Sequence, residues 1–170
     1  VRHSDAEHYA ASDRQRDLTG MGRRRAQHLG ALLETRIQKV DLALVSDALR
    51  ARRTLEKIRE YLPVAGIQIE CALYTADAPE LIDMAVESHA QTLLIVGHEP
   101  TISETGYFIG DDSAKEELRR GVRTATALII EIPDASRPLI LRASAAVALL
   151  ALLGSGGVAA ASALRMRVDA

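Results

Sequence analysis

Apolar and polar positions along this chain follow two rhythms. In LTGMGRRRAQHLGALLETRI, Met21, Ala26, Leu29, Leu32 and Leu33 fall at roughly helical spacing, with Thr19 as a cap and the arginines on the open side. DALRARRTLEKIREYL repeats that rhythm through Leu49, Leu55, Ile58 and Leu62, and APELIDMAVESHA does so with Pro79 in its first turn. Between these segments lie short apolar runs: VDLALVS, IQIECALY, QTLLIVGHEP (apolar through Val96) and ATALIIEIP. Such runs separated by helical patterns predict an α/β fold, a three-layer α/β/α sandwich whose central sheet is mostly parallel and covered on both faces. Val1 is the one apolar residue before Arg2, so the strand expected to open the fold reads as truncated at its N-terminal side.

Composition narrows the function. The 170 residues are 48% hydrophobic, enough for one domain with a real core. A net charge of −2 excludes a general nucleic-acid binder, so any anion site is local. Cys71 is the single cysteine, which rules out an internal disulfide and fits a reducing cytoplasmic setting, with Cys71 as filler in an apolar stretch. No signal-peptide pattern opens the sequence.

In parallel sheets, ligands bind beyond the carboxyl ends of the strands. LALVS runs into Ser46 and Arg50, TLLIVG runs into His98 and Glu99, and Arg2 and His3 end a third strand if Val1 is its last residue. These residue types suit a phosphoryl group. A guanidinium forks two of its oxygens, and a neutral imidazole is a competent nucleophile. A second histidine, protonated by anionic surroundings, donates to the oxygens as charge shifts. His3 fits the first imidazole role and His98 the second.

The same residues carry a family resemblance. RHSDAE resembles the Arg-His-Gly motif of the histidine phosphatase superfamily, and DRQRDLTGMGRRRAQHLGALL is similar to its Asp-x-x-Arg-Pro-Leu-Thr stretch and following helix. LVSDALRARRTLE resembles the Ser-Pro-x-x-Arg-Ala-x-x-Thr segment, and LLIVGHEPTISE the segment with the second histidine. The short length and LYTADAPELID resemble the small SixA-like branch, known for phosphohistidine phosphatases. The resemblance covers residues 1–132 as a histidine phosphatase domain and leaves 133–170 as an Ala/Gly-rich extension. It implies a phosphorylated His3, with Arg2, Arg50 and His98 in the phosphate pocket and Arg16 and Ser4 as substrate contacts. Glu99 is the candidate general acid, with Asp77 and Glu80 as competitors. No metal or other cofactor is implied. The implied substrate is a phosphorylated protein or a small phosphoester; the alternative is a non-catalytic phosphate-binding or regulatory module. Arg52 and Arg53 should turn away from the pocket, and neither Asp17 nor Asp47, which stand in for prolines, should touch the chemistry.

Other features have plainer readings. His8, His28 and His89 read as surface or core histidines, Arg23–Arg25 as an exposed helix face, and Ser46 as a helix cap. GSGG at 154–157 reads as a flexible linker, since the Lys-Ser/Thr ending of a phosphate loop is missing. Residues 143–164 carry no charge over a length that would span a bilayer, yet Ala, Gly and Ser dominate their second half. A helix on the sheet or an unstructured tail is therefore expected there, in preference to a membrane span.

Overall fold

The computed structural model describes residues 1–110, 112–131, 146–150 and 162–165. Its centre is a parallel sheet ordered β2-β1-β3, made of β1 (Val40–Ser46), β2 (Val64–Glu70) and β3 (Leu93–Val96). Strand β1 lies in the middle, with Ala43 opposite both Ile67 and Leu94. Its side chains alternate between faces, as a strand's must. Ala43 and Val45 join a core with Leu29 and Leu33 of α1 (Gly20–Glu34) and Leu55 and Ile58 of α2 (Leu49–Ile58). Leu42 and Leu44 belong to a second core with Leu81 of α3 (Ala78–Glu87), Ile102 of α4 (Thr101–Ile109) and Leu118 of α5 (Asp112–Leu118). Two cores on opposite faces of one sheet give the expected three layers.

The helical rhythm identifies α1, α2 and α3. Thr19 caps α1 by accepting from the Gly22 amide, while Met21 is 51% exposed and takes no part in the core. Helices α1 and α2 approach closely because Gly30 lacks a side chain: a Cβ there would lie 2.6 Å from the Ile58 carbonyl oxygen. The strand expected through Tyr74 stops at Glu70, whose carboxylate accepts from the Ala72 amide and starts a 3-10 turn, Cys71–Tyr74. Cys71 is exposed there, so it is not apolar filler.

Residues 1–3 lie between β3 and the approach to β4 (Ala127–Glu131). Arg2 bridges Gly97 in parallel, His3 donates its amide to Gly97, and Arg2 donates to Thr126. Arg2 and His3 are thus held from both sides at the carboxyl end of the sheet. Strand β4 pairs antiparallel with β5 (Ala146–Leu150), which pairs with β6 (Ser162–Arg165). Part of the charge-free stretch is therefore strand, contrary to the expected helix or unstructured tail. GSGG at 154–157 lies outside the described residues. No helix among the described residues is long and apolar enough to cross a membrane.

Candidate active site

Four segments deliver their side chains to one point beyond the sheet. Arg50 sits in the first turn of α2, where a long side chain folds back over the helix N-terminus and so over the end of β1. It is 6% exposed, whereas Arg52 and Arg53 face outward, as their helical offset requires. Arg50 Nε donates to His3 Nε2 at 3.2 Å, and its Nη2 lies 3.5 Å from His98 Nδ1. The two imidazole centroids are 5.1 Å apart.

The surroundings fix both rings. His3 Nδ1 lies 2.7 Å from the Ser4 carbonyl oxygen, which only accepts, so Nδ1 carries the proton and the Nε2 lone pair faces Arg50. His98 Nε2 lies 2.8 Å from Ser46 Oγ. A guanidinium only donates, so Nδ1 of His98 is the acceptor and its Nε2–H donates to Ser46. Ser46 is therefore not the cap of α2; Ala48 holds that position without a side-chain cap.

Burial, with Arg50 and Arg2 adding positive charge, pushes His3 down to about 3 against the opposing Ser4 carbonyl. The same desolvation and Arg50 push His98 down to about 4, against the pull of Asp13. Both imidazoles are neutral near pH 7. The expected protonated His98 is thus not the resting state, because burial and the Arg50 charge outweigh the pull of Asp13.

Arg2 Nη1 donates to the Val122 carbonyl, and its Nε is buried with no acceptor among the described residues. Ser103 Oγ donates to Glu99 Oε2, and Oε1 is buried without a donor among the described residues. Burial raises the Glu99 carboxyl above the usual range, while Arg2 and Ser103 pull it back. Its side-chain hydrogen bond runs to Ser103 of α4, and the Arg2 charge attracts it. Asp77 and Glu80 are engaged with each other in the capping box of α3.

Ser4 does not join the pocket. It is fully buried, its hydroxyl donates to the Gly22 carbonyl of α1 at 2.7 Å, and its amide donates to Thr54 Oγ1 at 2.9 Å. Thr54 in turn donates to the Arg50 carbonyl, so Ser4 locks His3 onto α1 and α2 instead of contacting substrate. Arg16 reaches the rim indirectly, donating to Asp13 Oδ1 at 2.9 Å and to the Glu7 carbonyl at 2.6 Å. It lines a cleft of about 250 Å³ with His8, Tyr9 and Asp13, which puts exposed His8 beside the site.

Asp13, Tyr74 and Arg14, to which the sequence assigns no role, complete the surroundings. Asp13 accepts from Arg50 Nη2 at 2.9 Å and from the Tyr74 hydroxyl. The Tyr74 ring meets His98 edge-on at 5.3 Å and lies under the Arg14 guanidinium at 3.9 Å. Asp47 pairs with Arg14, so this substitute for proline does reach the rim of the site. Asp17 stays apart, paired with Arg23, and Arg25 pairs with Asp5. Asp13 lies within the DRQRDLT motif, and Tyr74 ends IQIECALY, whose apolar run predicts strand.

SixA of Nakamurella multipartitia superposes with a TM-score of 0.67 at 29% identity, covering 78% of this chain and 81% of that one. SixA of Agrobacterium tumefaciens gives 0.69 at 26% identity, covering 77% and 88%. The chain belongs to the histidine phosphatase superfamily. A protein histidine phosphatase SixA solved with tungstate shares the superfamily fold at a TM-score of 0.67 and 21% identity, covering 78% of this chain and 85% of its own. An uncharacterised protein of Mycobacterium leprae is 35% identical over 115 residues, 66% of this chain and 70% of its own length. No protein-family model matches the chain. Within the superfamily, this site departs in having Ser4 and Asp47 where the motifs carry Gly and Pro, and both side chains now have partners in the structure.

Proposed function

We propose that this chain is a phosphatase that acts through a phosphohistidine intermediate on His3. The observation that carries the reading is the His3 ring itself: pinned by the Ser4 carbonyl, it turns an unprotonated Nε2 toward Arg50, with His98 one ring-contact away. Nε2 attacks phosphorus, the Nε2–P bond forms, and the bond from phosphorus to the leaving group breaks. Arg50, together with the Arg2 Nε–H that has no acceptor among the described residues, stabilises the phosphoryl oxygens. A phosphoryl dianion raises the proton affinity of His98, which then donates to an oxygen from Nδ1. Water attacks the phosphorylated His3, releases inorganic phosphate and restores the imidazole. No step uses a metal.

The leaving group fits a phosphohistidine protein or a small phosphomonoester. With Glu99 hydrogen-bonded to Ser103 of α4 and Asp77 and Glu80 engaged in a cap, no carboxyl among the described residues is hydrogen-bonded to either imidazole as a dedicated acid for an alkoxide, and imidazole departs with less help. That favours the phosphohistidine protein. The test incubates the chain with phosphorylated histidine-containing proteins and with small phosphoesters, quenches in base and seeks phosphate on His3. An adduct that disappears in His3→Ala supports the reading. Turnover retained by His3→Ala refutes it, and oxyanion binding without adduct or turnover identifies a phosphate-binding module instead.

A further inference from the structure

Asp13 is a charged group in direct contact with Arg50 that the proposed reaction does not use. Its carboxylate is an anion already seated on the phosphate-binding arginine. Arg50 Nη2 and the Tyr74 hydroxyl both donate to Oδ2, and Arg16 Nη1 donates to Oδ1. Its main-chain carbonyl separately accepts from Arg50 Nη1 at 2.7 Å. Arg50 Nε–H and a second Nη2–H face the two histidines. A phosphoryl group on His3 takes up the Nε2 lone pair that Arg50 Nε–H now meets, so its oxygens come to the Nε/Nη2 edge of the guanidinium, where the Asp13 carboxylate competes for Nη2.

The two partners differ in freedom. The Arg50 side chain is 8% exposed and cannot follow an outgoing anion, whereas Asp13 is 49% exposed, on a 3-10 turn facing water. Swinging the carboxylate out leaves the main-chain bond to Arg50 intact. Tyr74 holds the closed arrangement, and Arg14, stacked on its ring and paired with Asp47, fixes Tyr74 in turn. Its donors keep Asp13 well below the usual carboxylate range, so it stays ionised and supplies no proton.

We propose that Asp13 is an intramolecular competitor for the oxyanion seat on Arg50, a specificity-determining residue that holds free phosphate and other small oxyanions off the site. This rests on the phosphatase reading above. A substrate gains extra contacts beyond its phosphoryl group and so displaces the carboxylate, whereas inorganic phosphate has only the phosphoryl contacts to offer. The product is therefore released as Asp13 returns.

The test is calorimetric titration of the full chain with inorganic phosphate at neutral pH, comparing wild type, Asp13→Asn and Tyr74→Phe. Asn keeps the size and an acceptor and removes the charge; Phe keeps the ring and removes one donor that holds Asp13. Phosphate should bind about tenfold or more tightly to Asp13→Asn and about threefold more tightly to Tyr74→Phe. Unchanged or weaker binding in folded Asp13→Asn overturns the proposal, since Asp13 would then serve to orient Arg50, and leaves the phosphatase reading standing. If Asp13→Asn does not fold, Tyr74→Phe decides alone by the same criterion. Phosphate bound by neither wild type nor either folded variant refutes the seat and the phosphatase reading together.

Discussion

Ser46→Ala isolates how the second histidine is held. Ser46 is fully buried, and its Oγ lies 2.8 Å from His98 Nε2, itself on a residue 8% exposed. The second bond to this oxygen, from the Ala48 amide, is 3.4 Å long and contributes little. Alanine leaves the His98 N–H buried without an acceptor, a cost of about 1–3 kcal/mol. For a domain of this size that lowers Tm by roughly 2–4 °C per kcal/mol. It also frees His98 to rotate, taking Nδ1 out of line with the phosphoryl oxygens. Each 1.4 kcal/mol of lost transition-state alignment is about tenfold in rate, so kcat should fall about tenfold to hundredfold. KM should change less than about threefold, because Arg50 and Arg2 still hold the ground-state phosphate. The assay is steady-state phosphate release well below the variant's Tm, beside a thermal melt. A variant with lowered Tm but kcat within twofold of wild type would show that Ser46 only packs, and that His98 is oriented by something else.

Two further outcomes follow from the same geometry. His3 and His98 titrate near 3 and 4 in the folded chain, against an ordinary histidine value of 6.5, so the unfolded chain takes up protons first as pH falls. Their contribution is fully present above about pH 6.5 and declines below it by up to about 1.4 kcal/mol per pH unit for each ring. Urea unfolding at pH 7, 6 and 5 should show that decline, with a shallower slope in His3→Asn; Glu99, raised by burial, acts in the opposite sense and is common to both proteins. Equal slopes in the two proteins would contradict the buried neutral imidazole. Gly30→Ala places a Cβ 2.6 Å from the Ile58 carbonyl oxygen, against backbone that cannot give way like a side-chain tip. It should destabilise the chain by about 1–3 kcal/mol through separation of α1 from α2, and a denaturation midpoint equal to wild type would refute that close approach.

The α/β layering and most of its elements were legible from local pattern alone. The run VDLALVS is β1 residue for residue, and Thr19 caps α1 as its position indicates. Helix α4 left no such trace, because its buried face includes Ser103, Thr105 and Gly106 while Tyr107 and Phe108 point outward. Converging strand ends and motif positions also pointed to Arg2, His3, Arg50 and His98, and the structure brings His3, Arg50 and His98 into contact. The sequence could not say what each charged group turns toward. Ser4, a candidate substrate contact from its motif, donates to α1; Glu99, a candidate acid, accepts from Ser103; Ser46, placed as a cap, holds His98. Asp13 and Tyr74, 61 positions apart, meet only when two 3-10 turns close over the same arginine. Hydrophobic rhythm is a property of neighbours along the chain and survives in one dimension. Hydrogen-bond partners and the proton affinities they set depend on short distances between remote segments, and only the packed tertiary structure fixes those.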